Sequence, residues 1–140
     1  MIDKTLTATQ AAAKGDLETL KWIRANGGEW TSSAADFAAR NGHLETLKWI
    51  MANGGEWTSY AADYAAANGH LETLQWIRVN GGEWTPLAAN WGSSNGHVEI
   101  VEWIKYVNSG KWSEDLRKTL RSEPHMIRDI ENTIMSYVNA

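Results

Sequence analysis

The sequence contains no cysteine and only two prolines among its 140 residues. Without cysteine the chain can form no disulfide, thiolate metal site or cysteine nucleophile, so its fold must rest on packing alone. Positive charge is also scarce, because 13 Lys and Arg residues stand singly among 17 Asp and Glu residues. The resulting net charge of −4 argues against nucleic acid or an anionic membrane as the main partner.

Long hydrophobic segments are missing as well. No apolar run approaches the roughly 20 residues of a membrane helix. Residues 1–5 lack the apolar segment of a secretory signal. The length suits a single domain that spans residues 1–140. We therefore expect a soluble, cytoplasmic protein, and we expect it to be a monomer.

Tryptophan and glycine are abundant instead, with nine and twelve residues, and both recur at intervals of 27. The recurring residues form three series: Trp22, Trp49, Trp76 and Trp103; Trp30, Trp57 and Trp84; and Gly15, Gly42, Gly69 and Gly96. Residues 30–56 and 57–83 differ at only six of 27 positions. A period of this length predicts a stack of similar structural units.

Each unit is predicted to be a helical hairpin. Thr31 suits the N-cap of a first helix, helix A, which is rich in alanine and ends at Asn41-Gly42. A second helix, helix B, begins at Leu44 and ends before Asn53-Gly54-Gly55. The alanines allow helix A to approach its neighbours closely. Because one hairpin cannot bury its own apolar face, the units must stack.

Two motifs in these units resemble a known family. The segment 38–45, Ala-Ala-Arg-Asn-Gly-His-Leu-Glu, resembles the A-A-x-x-G-H-L-E core of ankyrin repeats, and Thr85-Pro86-Leu87 resembles the start of their T-P-L-H-x-A motif. The resemblance covers residues 5–110. An ankyrin unit has about 33 residues, and the residues missing here would form its projecting β-hairpin finger. The resemblance therefore implies an all-α, ankyrin-like helix-turn-helix solenoid without fingers, in which Trp30, Trp57, Trp84 and Trp112 fill the vacated space.

The expected organisation is one solenoid with atypical ends. Residues 1–29 form an N-terminal capping repeat, with Asp16 where the other units have histidine. Internal repeats span 30–56, 57–83 and 84–111, and 112–140 form C-terminal capping helices. Fingerless units of this kind resemble those in ankyrin families of amoeba-infecting giant viruses and some protists. The near-identity of the copies equally suits recent duplication or a consensus-designed protein.

Catalytic and metal-binding patterns are weak. His43, His70 and His97 recur once per unit and would be separated by helix packing distances of about 8–10 Å, too far apart to share a zinc ion. The glutamates that follow them have no predicted buried carboxylate partner. We therefore expect no enzyme, metal or cofactor. A catalytic site in the divergent C-terminal unit, around His125, Arg128 and Asp129, stays open as a remote alternative.

The positions that vary between units indicate where the fold does not dictate the residue. On helix A they are Ser33/Tyr60/Leu87, Phe37/Tyr64/Trp91 and Arg40/Ala67/Ser94, which share one face. The resemblance implies that helix A lines the concave side of the array, where a protein or peptide partner docks. The predicted protein-binding residues are Phe37, Tyr60, Asp63, Tyr64, Leu87, Asn90 and Trp91. Two alternatives remain open: the aromatic residues merely cover the alanine-rich helices, or the chain is a designed or reconstructed scaffold without a ligand.

Overall fold

A computed structural model describes residues 1–111, 118, 120–123 and 125. The prediction for Trp112, and most of the predicted closing segment 112–140, lie outside these residues. The described part contains four helical hairpins followed by a π-helical turn. Their helices are α1 (Ala8–Lys14), α2 (Leu17–Ala25), α3 (Ser32–Arg40), α4 (Leu44–Ala52), α5 (Tyr60–Ala67), α6 (Leu71–Val79), α7 (Leu87–Ser94) and α8 (Val98–Tyr106), and the turn is Val107–Lys111. The described residues contain no strand, which confirms the all-α repeat solenoid.

Threonine hydroxyls begin the first helix of each hairpin, as the sequence predicts. The Thr31 hydroxyl accepts a hydrogen bond from the backbone amide of Ser33 at 3.3 Å. The hydroxyls of Thr58 and Thr85 do the same for the amides two residues further on, at 3.1 and 3.2 Å. At the N-terminal end, Thr7 forms a full capping box with Gln10. These bonds satisfy amides that have no partner within the helix.

Glycines in the left-handed backbone region end the helices. Gly42, which follows α3, has φ +71°, and Gly54, which follows α4, has φ +85°. Residues with a Cβ rarely adopt this conformation, so the repeated glycines fix where each helix stops. The next helix then begins within a few residues, which keeps the hairpin tight.

The first helices (α1, α3, α5 and α7) form the centre of the stack. Each packs directly on the next, α1 on α3, α3 on α5 and α5 on α7. The buried contacts are made by alanines, all with no exposed surface: Ala34, Ala35, Ala38, Ala39, Ala61, Ala62, Ala65 and Ala66. The second helices carry larger buried residues and pack mainly on the first helix of their own hairpin. The small side chains let the first helices pack closely on one another.

Tryptophan pairs join the link and the second helix in two of the hairpins. Trp30, in the link before α3, packs edge-to-face on Trp49 of α4 with ring centroids 5.6 Å apart. Trp57 and Trp76 repeat this pair at 5.8 Å in the next unit. The links that carry Trp30 and Trp57 contain no strand. Each of these two tryptophans instead contacts the tryptophan of the second helix in its own unit. Such pairs contribute about 0.5–1.5 kcal/mol beyond the area that they bury.

Candidate protein-binding surface

Buried aspartates tie the first helices α3 and α5 to the unit that follows each of them. The Asp36 carboxylate accepts hydrogen bonds from the amide and the hydroxyl of Thr58 at 3.0 and 2.7 Å. Asp63 makes the same two bonds with Thr85, at 2.9 and 2.7 Å. Asp63 has no exposed surface. The prediction that Asp63 belongs to the docking surface is therefore wrong, because its carboxylate is enclosed and holds the next helix cap.

The equivalent position in the fourth unit is different. Asn90 replaces the aspartate there, and its side chain is exposed on α7. Asp36 and Asp63, the aspartates of units two and three, are both buried. Asn90 stays a candidate for partner contact.

Three aromatic rings on neighbouring first helices form a continuous cluster. Tyr60 stacks on Tyr64, one turn along α5, with centroids 5.7 Å apart. Tyr64 in turn stacks on Trp91 of α7, at 6.0 Å and an interplanar angle of 4°. Leu87 lies one turn before Trp91 on α7. We call Tyr60, Tyr64, Leu87 and Trp91 the aromatic patch.

The patch is accessible at its edge. Tyr60 is 48% exposed and Leu87 is 37% exposed, whereas Tyr64 and Trp91 are partly buried. Apart from Tyr60 and Leu87, Met1 and Val98 are the only exposed large hydrophobic residues in the described part of the chain. Apolar surface that spans two units is what a partner could bury.

Arg40 extends the patch toward the N-terminal end. Its guanidinium carbon lies 5.8 Å from the centre of the Phe37 ring and 5.7 Å from that of Tyr64. Arg40 itself is exposed. The sequence predicted Phe37 and Tyr64 but missed Arg40 as a contributor. The available signal was its position in the same variable set, three residues after Phe37.

A family comparison agrees with this architecture. The family model described as "Ankyrin repeats (many copies)" matches residues 8–51 and 35–78, which together span half of the chain. The chain belongs to the ankyrin-repeat family. No curated protein matches the sequence. Ankyrin repeats are generally protein–protein interaction modules, so the family directs attention to surfaces rather than to catalytic clefts.

The histidines of this ankyrin stack lie between units. His43, His70 and His97 stand at the N-caps of α4, α6 and α8 without making a side-chain cap. Each ring packs on a glycine of the preceding unit, so that a Cβ added at Gly42 would lie 2.5 Å from Nδ1 of His70. Burial lowers the pKa of His70 below its ordinary value of 6.5, and the charges of the two neighbouring histidines lower it further. A hydrogen bond with the backbone of Arg40 opposes that shift.

Candidate catalytic and metal groups are dispersed. No group of three His, Cys, Asp or Glu side chains among the described residues could hold a metal ion. Glu45 and Lys48 form an ion pair at 3.5 Å on the solvent side of α4. His125 is exposed, 3.8 Å from Glu123, while Arg128 and Asp129 lie outside the described residues. None of the described helices is long and apolar enough to cross a membrane.

Proposed function

We propose that this ankyrin array is a non-enzymatic scaffold that binds a protein or peptide partner on its first-helix face. The observation that supports this most directly is the aromatic patch, which joins two units and leaves Tyr60 and Leu87 exposed. Phe37 and Asn90 flank the patch. Because the first helices pack on one another in succession, a segment lying along this face could contact several units at once.

Comparison of the units shows that the fold does not require these residues. Ser33 occupies the Tyr60 position in the second unit, and Gln10 occupies the Tyr64 position in the first. Both helices form with the same stacking contacts. The presence of large aromatic side chains at positions where serine or glutamine suffices supports a role in binding. Tyrosine and tryptophan are the residues that most often anchor interfaces.

The test is a comparison of binding by the wild type and a Tyr64→Ala/Trp91→Ala variant. Peptides selected on the wild type from a random displayed library should bind the double variant at least about tenfold more weakly, a change of roughly 1.4 kcal/mol. A Val98→Ala variant is the matched control, because Val98 is 62% exposed but lies outside the patch. Circular dichroism must show unchanged helicity for all variants. Equal binding by wild type and double variant would rule out this surface.

One observation favours the alternative of a scaffold without ligand. Tyr64 and Trp91 stack on each other across two units, and such a contact stabilises the array by itself. That interpretation requires the patch residues to contribute mainly to the free energy of unfolding. The unfolding free energies of Tyr60→Ser and Leu87→Ser variants distinguish this alternative from the proposed binding function.

A further inference from the structure

The link that follows the second helix has the same sequence in three units. Asn-Gly-Gly-Glu-Trp-Thr stands at 26–31, 53–58 and 80–85. In each copy the asparagine comes directly after the second helix, and the first glycine has a positive φ of +81°, +85° or +90°. Because the local sequence is identical, any difference in chemical reactivity among the three copies must come from their surroundings.

The middle copy lacks a hydrogen bond that the other two copies make. The amide of Gly27 donates to the carbonyl of Arg24, and the amide of Gly81 donates to that of Arg78, both at 3.2 Å. Within the described part of the chain, the amide of Gly54 donates no hydrogen bond. Gly54 is also exposed, and no atom would lie within 4 Å of a Cβ built on it. Its backbone nitrogen is therefore open to water.

An arginine that covers the link in the two outer copies is missing from the middle one. Arg24 and Arg78 each lie over the tryptophan of the link that follows, at 4.0 and 5.0 Å from the ring centre. Arg24 also donates to the carbonyl of Gly28 at 3.1 Å. The equivalent residue in the middle copy is Met51, whose thioether has neither a positive charge nor a hydrogen-bond donor. We therefore expect the end of α4 to open locally more easily than the ends of α2 and α6.

Asn-Gly pairs also end the first helices of units two to four, but these pairs are held more firmly. The side chains of Asn41 and Asn95 donate to backbone carbonyls of the preceding unit, both at 2.8 Å. The amides of the glycines at 42, 69 and 96 all donate to carbonyls of the helix before them, at 3.1–3.3 Å. Among the Asn-Gly pairs, Asn53-Gly54 thus combines a free glycine amide with the loss of the arginine.

We propose that Asn53 is the Asn-Gly site at which this chain preferentially undergoes spontaneous deamidation. The Gly54 amide nitrogen loses its proton to water and attacks Cγ of Asn53. A C–N bond forms, the Cγ–Nδ2 bond breaks, and the side-chain nitrogen takes up a proton and leaves as ammonia. Water then adds to one carbonyl of the resulting succinimide ring and opens it to aspartate or isoaspartate. Glycine favours the attack, because it has no side chain to hinder the approach of its nitrogen.

The product changes the joint between units two and three. It adds a carboxylate at the C-terminal end of α4, where the helix dipole is itself negative, so the new charge is unfavourable. The isoaspartate form also lengthens the main chain by one carbon before Thr58, which caps α5 and hydrogen-bonds to Asp36. Deamidation therefore weakens the connection between α4 and α5.

Peptide mapping of the intact chain tests this proposal. The protein is incubated in slightly alkaline buffer, and samples taken over time are digested with trypsin and analysed by tandem mass spectrometry. Trypsin places Asn26, Asn53 and Asn80 on three different peptides, so the outer copies are internal controls. Asn53 should react about two- to tenfold faster than either control, the factor that one net hydrogen bond provides. In urea, which unfolds the chain, the three identical links should react at the same rate.

Two substitutions exchange the arginine and the methionine. Met51→Arg should slow the reaction of Asn53 to the rate of Asn26, and Arg24→Met should accelerate Asn26 to the rate of Asn53 without changing Asn80. Circular dichroism must show unchanged helicity for both variants. An unchanged Asn53 rate in Met51→Arg would contradict the assigned cause.

Two results for the wild type would overturn the proposal. One is that Asn53 in the folded protein reacts no faster than Asn26 and Asn80, or does not react while the unfolded chain does. The other is that Asn53 stays the fastest of the three in urea, because the preference would then not come from the fold.

Discussion

The carboxylate of Asp63 accepts hydrogen bonds from both the backbone amide and the hydroxyl of Thr85, at 2.9 and 2.7 Å. This contact joins the middle of α5 to the start of α7, and it is fully enclosed. Asp36 makes the same contact one unit earlier. The stack is thus held by a polar link at each of these steps in addition to its alanine contacts.

Removal of the Asp63 carboxylate should destabilise the array. In Asp63→Ala, the amide and hydroxyl of Thr85 lose their acceptor, which costs about 1–3 kcal/mol of unfolding free energy. Urea denaturation measures this loss, with Asn90→Ala as the control at the exposed equivalent position. A double-mutant cycle with Thr85→Ala should give a coupling of at least about 0.5 kcal/mol. Additive effects would show that the two residues do not stabilise each other.

The contact between Gly42 and His70 should make two glycines respond differently to the same substitution. Gly42 and Gly54 both have positive φ, so alanine at either position costs about 1–2 kcal/mol. Only at Gly42 would the new Cβ also meet an imidazole, whereas no atom of the described structure lies within 4 Å of a Cβ at Gly54. Gly42→Ala should therefore lose about 1–3 kcal/mol more than Gly54→Ala. Equal losses of unfolding free energy in chemical denaturation would mean that the His70 ring can move away from the new Cβ without destabilising the fold.

The lowered pKa of His70 predicts how the free energy of unfolding depends on pH. Because the folded-state pKa of His70 lies below the ordinary 6.5, the unfolded chain binds the proton more readily. The contribution of His70 is fully present above pH 6.5 and is lost as the pH falls from there through the lowered folded pKa. The groups facing it are His43, His97 and the backbone of Arg40.

Urea titrations between neutral pH and pH 5 measure this dependence. Asp3 and Asp16, whose pKa values are held below the ordinary 3.8 by hydrogen bonds with Thr5 and Thr19, stay ionised in that range. A His70→Gln variant should have a shallower pH dependence than the wild type. If the unfolding free energies of His70→Gln and the wild type depend on pH in the same way, other groups cause the dependence.

The exposed residues of the aromatic patch should be dispensable for stability. Tyr60→Ser recreates the side chain that the second unit has at Ser33, and Leu87→Ser does the same on α7. Leu87→Ser should change the unfolding free energy by no more than about 0.5 kcal/mol, because surface changes outside special features are small. Tyr60→Ser should cost no more than about 1.5 kcal/mol, because it also removes the stack on Tyr64. A loss above about 2 kcal/mol would favour the interpretation in which these side chains serve only to cover the helices.

The helices and their ends were predictable because capping and glycine rules act locally. Thr31, Gly42 and Gly54 each perform the role that their residue type and position indicate. The alanine contacts were also predictable, since the repeat shows the same small residues at the same places.

The burial of Asp63 was not predicted, because an aspartate in mid-helix is usually solvated. Its partner lies 22 residues away, and local patterns do not show such a contact. A signal was nevertheless present: Asp36 and Asp63 are constant, and so are Thr58 and Thr85. Constant positions are those that the stack requires, and Asp63 was assigned to the predicted surface although its position does not vary between units two and three.

The most direct test of the docking surface follows the tryptophan indole N–H signals by nuclear magnetic resonance while a peptide selected on the wild type from the displayed library is added. Trp91 lies on the first-helix face, whereas Trp49 and Trp76 lie on second helices and serve as internal controls. The account predicts that the Trp91 indole signal shifts and saturates with the peptide, while those of Trp49 and Trp76 stay in place. A saturating shift of Trp49 or Trp76 with an unchanged Trp91 signal would contradict it.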